Sequence, residues 1–339
     1  MRAVFVYPGD LDQPTGGYRY DAALLREWAA AGIAVTAISL PGAYPAPTEA
    51  DLTAAEALLA PIPADVPILI DGLAFAVLPG AWLDRLGKRW QALVHHPLCL
   101  ETGLDPALAA QLEASERAAL ARAELITVTS RATGVTLTER FAVPAEKILL
   151  APPGIVRYPR SAPQSPPMIL TVGAISPRKN FDGLVTALEA VRDLPWKATI
   201  VGSDAHSPET GAALRAQVAA LGLTDRIHLV GALTGPALEA AYADASFYVH
   251  AAHYEGFGMA LADALASGLP TVASIGGAVG DWLPEGAALR ATPDAATLAE
   301  NLRTLLTDSD LAERLAAAGR AIDFPTWAGS AAAIAARWA

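Results

Sequence analysis

His250-Ala-Ala-His-Tyr-Glu-Gly-Phe-Gly-Met-Ala-Leu-Ala-Asp-Ala-Leu-Ala-Ser-Gly-Leu-Pro270 is the stretch that decides the fold of this chain. Short apolar runs at residues 245–249 and 271–274 flank it and have the length of buried strands. Residues 259–267 are rich in Ala and Leu and are followed by a glycine and a proline, which favours a helix that ends there. The stretch therefore predicts a strand, a turn, a helix and a second strand.

The predicted turn between the first strand and the helix carries a carboxylate beside two glycines. Glu255 is followed by Gly256, Phe257 and Gly258, and glycines this close together are costly unless the backbone must approach another group. The N–H groups at the helix start favour an anion. Asp263 lies eight residues after Glu255, a separation of roughly 12 Å if the interval were helical. Two such carboxylates could hold the ends of an elongated polar ligand such as a nucleotide sugar, and the alternative is that both face water.

These residues carry a resemblance to a known family. Glu255-Gly-Phe-Gly, Asp263, Ala266, Gly268 and Pro270 resemble the donor-site signature of the GT-B-fold retaining glycosyltransferases. That large family, glycosyltransferase family 4 or glycosyl transferases group 1, contains bacterial mannosyl- and glucosyltransferases and sucrose synthases. Its second carboxylate is normally Glu, whereas this chain has Asp263, which can still accept two hydroxyl hydrogen bonds. The resemblance implies that Glu255 holds the hydroxyls of the sugar and Asp263 those of the ribose.

The composition limits the class of protein. A chain of 339 residues predicts about two domains, and 53% hydrophobic residues can form large cores. The net charge of −11 argues against binding to nucleic acid. The single cysteine, Cys99, excludes an internal disulfide and suits a reducing compartment. Because the first residues predict a strand and not a signal peptide, and no apolar run resembles a membrane span, we expect a cytoplasmic protein with at most peripheral contact at the inner membrane face.

Strand-like and helix-like segments alternate along the whole chain, which predicts α/β architecture with parallel sheets covered on both faces. A proline-rich segment at residues 152–167 interrupts the alternation and is the best candidate for a linker. The expected fold is GT-B, with two Rossmann-like doubly wound domains facing each other across a cleft. We predict an acceptor-binding domain at residues 1–160 and a nucleotide-sugar donor-binding domain at 161–325. As the GT-B pattern implies, the C-terminal helix at 326–339 packs back on the first domain.

A second motif opens the predicted donor domain. Val172-Gly-Ala-Ile-Ser-Pro-Arg-Lys-Asn180 follows a strand and precedes a helix, so Arg178 and Lys179 lie where a diphosphate would sit. Two cations can stabilise a leaving nucleoside diphosphate without a metal ion, and the alternative is a pair of exposed loop cations. The segment, with Gly173, resembles the Pro-Arg-Lys-Asn loop of the same family. Many relatives have an Arg directly after the first glycine, where this chain has Ala174.

The first predicted domain offers weaker signals. Gly16 and Gly17 follow the first strand and can bring backbone N–H groups to a phosphate; in the family this position contacts the donor phosphate and the acceptor. His95 and His96 end a later strand, and the resemblance implies a histidine near the transferred sugar, with His96 favoured. Structural histidines are the equal alternative. Glu101 follows and is a candidate for the acceptor side.

Other loops and histidines complete the candidates. Gly231 follows a strand of the second domain, in a loop that in relatives holds the base and ribose. The remaining histidines have no metal-ligand spacing and are expected to be structural or solvated; they are His206, His228, His250 and His253. Because these histidines form no metal-ligand spacing with carboxylates, we expect neither a metal ion nor a cofactor.

The resulting hypothesis is a retaining, metal-independent hexosyltransferase. Its donor would be a UDP-, GDP- or other nucleoside diphosphate sugar, and its acceptor a hydroxyl of a glycan, a lipid or a small molecule. A GT-B-fold sugar-nucleotide epimerase is the alternative among enzymes. A two-domain solute-binding protein is the alternative from another class, and the phosphate-directed Arg178-Lys179 pair argues against it.

Overall fold

The computed structural model of the protein describes residues 2–162 and 164–338. Met1, Ala339 and Pro163 of the proline-rich segment lie outside the described residues. The chain divides into two compact units. The first unit contains Met1–Gly154 and Pro325–Ala339, and the second contains Ile155–Phe324.

The first unit is built on a six-stranded parallel sheet with the order β2-β1-β3-β4-β5-β6. Its strands are β1 Arg2–Pro8, β2 Ala34–Leu40, β3 Pro67–Asp71, β4 Arg89–Val94, β5 Leu125–Val128 and β6 Ile148–Leu150. Its helices are α1 Gly16–Ala30, α2 Glu49–Leu59, α3 Gly72–Phe75, α4 Gly80–Leu86, α5 Pro106–Leu120 and α6 Arg131–Phe141. Every residue of β3 is buried, as expected for a parallel strand with both faces covered. The strand order reverses between β1 and β3, which makes this the switch point of the sheet.

The second unit repeats this plan with the order β12-β11-β10-β7-β8-β9. Its strands are β7 Met168–Val172, β8 Lys197–Val201, β9 Ile227–Leu229, β10 Phe247–His250, β11 Thr271–Ser274 and β12 Leu289–Ala291. Its helices are α7 Phe181–Ala190, α8 Pro208–Ala220, α9 Gly235–Asp244, α10 Met259–Ala266, α11 Val279–Trp282, α12 Ala295–Thr307 and α13 Ser309–Arg320. The switch point of this sheet lies between β7 and β10.

The first residues of the second unit are held against α10. The backbone N–H of Val156 donates to Asp263 Oδ1 over 2.8 Å, and that of Tyr158 donates to Ser267 Oγ over 2.8 Å. The Tyr158 ring stacks on Tyr242 at a centroid distance of 4.4 Å. Side chains of α10 thus supply the hydrogen bonds that this extended segment cannot obtain from a sheet.

The last helix, α14 Trp327–Ala335, belongs to the first unit. It packs against α1, where Trp28 Nε1 donates to the carbonyl of Ala331 over 2.9 Å. Beyond the helix, the buried Trp338 donates its Nε1–H to Gln91 Oε1 over 2.9 Å and packs on Trp28 at 5.0 Å. The core of the first unit is therefore completed by residues from the C-terminal end of the chain.

The predicted α/β class with two doubly wound parallel sheets is confirmed. Among residues 2–162 and 164–338, no helix combines the length and the apolar character that crossing a bilayer requires.

Candidate functional site

Two loops of the second unit meet at its switch point. β7 and β10 are parallel neighbours in the sheet although β8 and β9 separate them in the chain. The loop after β7 carries Arg178 and Lys179 in the 3-10 turn Pro177–Lys179, and the loop after β10 carries Glu255. Because the carboxyl ends of parallel strands share one edge of a sheet, these side chains lie together where doubly wound folds bind ligands.

Asn180 fixes the turn that presents the two cations. Its φ of 55° places it in the left-handed region, which asparagine tolerates better than most residues. Its Nδ2 donates to the carbonyls of Ala251, over 3.0 Å, and Pro293, over 2.8 Å. The N–H of His253 donates in turn to the carbonyl of Arg178 over 2.9 Å. The loop after β7 is thereby joined to the loop after β10 through the Asn180 side chain and backbone groups.

Glu255 is the centre of this cluster and is only 7% exposed. Lys179 Nζ donates to its Oε1, and Arg178 Nη1 donates to its Oε2 over 3.3 Å. The same Arg178 nitrogen donates to the carbonyl of Tyr254 over 2.9 Å. Two cations therefore share one buried carboxylate, which leaves the cluster with an excess of positive charge.

The electrostatics of the cluster keep Glu255 ionised. Burial raises the pKa of this carboxyl, but Lys179 and Arg178 outweigh that effect and lower the pKa to about 2. Burial lowers the pKa of the neighbouring His250 to about 4; Glu255 opposes this shift, and the two cations add to it. At neutral pH Glu255 is thus a pure hydrogen-bond acceptor and His250 is a neutral imidazole.

Glycines permit the close contacts around Glu255. A Cβ at Gly277 would lie 2.4 Å from the carbonyl oxygen of Glu255, and its φ is +66°. That carbonyl accepts the N–H of Ala278 over 2.9 Å. A Cβ at Gly173 would lie 3.2 Å from Cε of Lys179. The predicted Gly173 therefore lies directly beside the cation that bonds Glu255.

The start of α10 has no side-chain cap. Gly258, at a φ of 92°, precedes the helix and supplies no side-chain cap to its first N–H groups. Trp282 Nε1 donates to the carbonyl of Phe257 over 2.7 Å, and the two rings stack at 5.4 Å. Gly256 is half-buried next to Phe257. The sequence-predicted Gly-Phe-Gly segment is thus held beside Glu255 with helix amides directed toward the turn.

Asp263 and Gly231 have other surroundings. Asp263 has no exposed surface, and its Oδ1 accepts the N–H of Val156. A carboxylate in this position anchors the segment after residue 154, and its contact with a ribose stays a prediction. Gly231 is exposed, and its carbonyl accepts the N–H of Gly202 over 2.8 Å, which joins the loops after β8 and β9.

A second cluster lies at the switch point of the first unit. His95, which follows β4, has its Nε2 3.1 Å from Asp71 Oδ2 and 3.4 Å from Asp21 Oδ1. Asp71 is the last residue of β3 and Asp21 lies on α1. A Cβ at Gly17 would lie 3.4 Å from Cδ2 of the His95 ring, so the predicted glycine loop packs on the histidine.

Two carboxylates in contact make this cluster attract positive charge. Burial, followed by the charge of Asp71, raises the pKa of Asp21 to about 7, against the opposing effect of His95. Burial lowers the pKa of His95, but the nearby carboxylates of Asp21 and Asp71 prevail and raise it to about 10. The sign of this cluster is the opposite of the one around Glu255.

The remaining candidates of the first unit are Gly16, His96 and Glu101. Gly16 is exposed at the first position of α1. His96 is half-buried, and it is His95, the less favoured of the two histidines, that contacts the buried carboxylates. Glu101 is half-buried and accepts the N–H of Thr102 over 3.4 Å.

Sequence reasoning missed Asp21 and Asp71. Asp21 shares one helical face with the buried Leu24 and Trp28, and a charged residue at a core position was a usable signal. Asp71 ends an otherwise apolar strand, at the edge where parallel sheets carry their functional groups.

Comparison with known proteins defines the family. Residues 157–322 match the family "Glycosyl transferases group 1", which covers nearly all of the second unit. The second unit belongs to this family of transferases, and the family assignment made from the Glu255 signature is confirmed.

A curated relative and two solved structures give the same result. The chain is 28% identical over 259 residues to the MMP alpha-(1->4)-mannosyltransferase of Mycolicibacterium hassiacum, a match that covers 72% of this chain and 59% of that protein. The chain thus spans about three fifths of the length of that relative. Sucrose-phosphate synthase from Thermosynechococcus elongatus superimposes with a TM-score of 0.76 at 22% identity, over 94% of this chain and 93% of the other. HepE from Anabaena, solved in complex with UDP-glucose, gives a TM-score of 0.73 at 16% identity, over 94% and 93%. The fold is that of GT-B glycosyltransferases.

Proposed function

We propose that the protein is a retaining glycosyltransferase that moves a hexose from a nucleoside diphosphate sugar to an acceptor hydroxyl. The observation that carries this proposal is the buried Glu255 between Arg178 and Lys179 at the switch point of the second unit. The UDP-glucose complex of HepE supports a nucleoside diphosphate sugar as donor. The mannosyltransferase from Mycolicibacterium hassiacum supports a hexose as the transferred group.

The two cations would stabilise the departing diphosphate. When the bond between C1 of the sugar and the phosphate oxygen breaks, negative charge develops on that oxygen. Arg178 and Lys179 both contact Glu255 and together carry one more charge than it, so they could also donate hydrogen bonds to a bound diphosphate. The uncapped N–H groups at the start of α10 add to this stabilisation. We therefore propose that departure of the diphosphate needs no catalytic metal ion.

Glu255 would hold the hydroxyls of the transferred sugar. Its low pKa keeps both oxygens available as acceptors at neutral pH. Because the carboxylate is bonded to the same cations that would contact the diphosphate, it fixes the sugar relative to its leaving group. Positioning of this kind lowers the barrier to the chemical step.

The chemical step we propose uses no enzyme nucleophile. The acceptor oxygen forms the new bond to C1 on the face from which the diphosphate leaves, and the configuration at C1 is retained. The acceptor proton passes to the departing phosphate oxygen. Contacts from the remaining candidate residues stay predictions; these are Gly16, Gly17, His95, His96, Glu101, Gly173 and Gly231. A glycan, lipid or small-molecule acceptor and a cytoplasmic location also stay predictions.

The test begins with donor binding. Thermal unfolding of the purified chain is followed with UDP-, GDP-, ADP- and dTDP-sugars, and a donor at 100 times its Kd should raise the unfolding temperature by roughly 5 °C. The stabilising donor is then incubated with acceptor candidates without added Mg²⁺. NMR of the product should show the anomeric configuration of the donor.

The variant Glu255→Ala should abolish transfer while the chain remains folded, and Glu285→Ala serves as the matched control because that side chain is 93% exposed. Full activity of Glu255→Ala, or inversion at C1, would contradict the proposal. Conversion of the donor without any acceptor would identify an epimerase instead.

A further inference from the structure

The cluster in the first unit has the composition of a metal site. One oxygen each of Asp21 and Asp71 and one ring nitrogen of His95 all lie within 4.8 Å of one another. The three residues come from α1, from the end of β3 and from the segment after β4. They meet at the switch point of the sheet, where doubly wound folds place ligands.

Asp21 has unsatisfied hydrogen-bonding capacity. The residue is fully buried, and neither of its carboxylate oxygens accepts a hydrogen bond from any residue that the structure describes. A buried carboxylate is costly unless it is paired with a positive charge and hydrogen-bonded. Its side chain is directed at His95 Nε2 and at the position that Asp71 Oδ2 also faces, so a missing partner would have to lie among these three groups.

The single N–H at Nε2 of His95 cannot satisfy both carboxylates of the cluster. Asp71 uses one oxygen to accept the N–H of Leu73 over 2.8 Å, and its other oxygen lies closest to His95 Nε2. One ring N–H can donate a good hydrogen bond to only one carboxylate, and Asp71 is the nearer one. Asp21 is therefore left without a donor. A dication bonded to all three groups would give Asp21 the partner that it lacks.

We propose that the first unit binds one divalent cation, Mn²⁺ or Zn²⁺, through Asp21, Asp71 and His95. Two carboxylates and an imidazole are ligands that both ions accept, whereas Mg²⁺ prefers oxygen ligands alone. His95 binds as the neutral imidazole through Nε2. Three protein ligands leave room in the coordination sphere for water or for an oxygen of a ligand. The site belongs to the first unit and is independent of the metal-free departure of the diphosphate proposed for the second.

No sequence motif could have shown this site. The ligands are separated by 50 and 24 positions along the chain, and only the parallel sheet brings them together. The expectation that the protein holds no metal rested on the spacing of candidate ligands along the chain, which does not show residues that the fold brings together.

The experiment uses the full chain without a histidine tag. Metal content is measured after purification, the protein is stripped with EDTA, and Mn²⁺, Zn²⁺ or Mg²⁺ is then added during thermal unfolding. Mn²⁺ or Zn²⁺ at 100 times its Kd should raise the unfolding temperature by roughly 5 °C, and Mg²⁺ should have a much smaller effect. Co²⁺ in the same site should give a visible absorption band.

Asp21→Asn keeps the size of the side chain and removes its charge, and it should abolish both the stabilisation and the Co²⁺ band. Asp65→Asn is the matched control, because Asp65 is an exposed aspartate of the same unit, and it should respond as the wild type does. Equal responses of the wild type and Asp21→Asn would overturn the proposal. So would a stripped wild type that binds neither ion in a calorimetric titration, a result that does not depend on the folding of any variant.

Discussion

The two sheets carry clusters of opposite sign at equivalent places. In the second unit, Glu255 is matched by Arg178 and Lys179, so the cluster is positive by one charge. In the first unit, Asp21 and Asp71 share a single His95, so carboxylates are in excess. Both clusters lie at a switch point and both are largely buried.

The difference indicates that the fold determines where a ligand binds, whereas the side chains determine which ligand charge is favoured. A buried cluster with more cations than carboxylates favours an anion, and one with more carboxylates than cations favours a cation, because buried charge is costly unless it is paired. The same αβ plan therefore serves a diphosphate in one unit and a metal ion in the other according to our two proposals.

The largest expected effect comes from removing the positive excess of the second cluster. Lys179→Ala should lower kcat/KM for sugar transfer by about 1000-fold, because a preorganised donor to the departing diphosphate is lost. Steady-state kinetics with the stabilising donor measures it. Arg192→Ala is the matched control, since this cation of the same unit is 54% exposed. A loss below about 10-fold for Lys179→Ala would remove the basis of the comparison.

The next effect tests the close backbone contact at Glu255 without changing any charge. Gly277→Ala should destabilise the protein by about 3 kcal/mol, because the new Cβ would meet the Glu255 carbonyl at 2.4 Å in a left-handed backbone conformation. Gly286→Ala is the control. Its φ of +79° imposes a similar backbone strain but no atom lies within 4 Å of the new Cβ, so it should cost about 1 kcal/mol. Urea unfolding of both variants provides the measurement, and equal values would show that the close approach at Glu255 does not matter.

A pH series should reveal how well the charge of Glu255 is matched. The folded pKa of about 2 lies below the ordinary value of 4.5, so the ionised carboxylate contributes stability above pH 4.5 that is lost as the pH falls toward 2. Between pH 6 and pH 3 the wild type should lose on the order of 2 kcal/mol more than Glu255→Gln, which has no proton to gain. Glu285→Gln, at a 93% exposed position, should follow the wild type. A constant difference between wild type and Glu255→Gln across this range would contradict the assigned pKa.

The smallest effect is expected from a substitution at Gly17 in the first unit. Gly17 has no left-handed φ, and a Cβ there would make ordinary contact with the His95 ring at 3.4 Å. Gly17→Ala should therefore change the free energy of unfolding by less than about 1 kcal/mol, and the response to Mn²⁺ or Zn²⁺ should persist. Thermal unfolding with and without the ion measures both. A large destabilisation would show that the first cluster, like the second, depends on close backbone approach.

Much of the sheet architecture was predictable because buried parallel strands are short continuous apolar runs. The predicted strand at residues 271–274 has the observed bounds. Helices α2, α12 and α13 were not predicted. Their N-terminal signals were present, since Thr48 and Asp51 form a capping box before α2 and Asp294 caps α12. β12 has only three residues, too few for a periodic pattern.

The two clusters differ in how much the sequence revealed. Arg178, Lys179 and Glu255 stand in two compact segments with glycine or proline signals, so a reader of the sequence could single them out. Asp21 and Asp71 stand among apolar neighbours with no such signal, and their proximity arises from strand order alone. The burial of Asp263 against Val156 was equally hidden, because it depends on where an extended segment passes over α10.

The position of α14 has a consequence for the order in which the protein is assembled. Residues 155–324 leave the ribosome before Trp327 and Trp338, so the second unit can close its core while the first still lacks its final tryptophans. Until those last residues arrive, Trp28 has nothing to cover it from that side. A chain truncated after Phe324 would therefore carry a second unit with a complete core and a first unit whose apolar interior is accessible to chaperones and proteases.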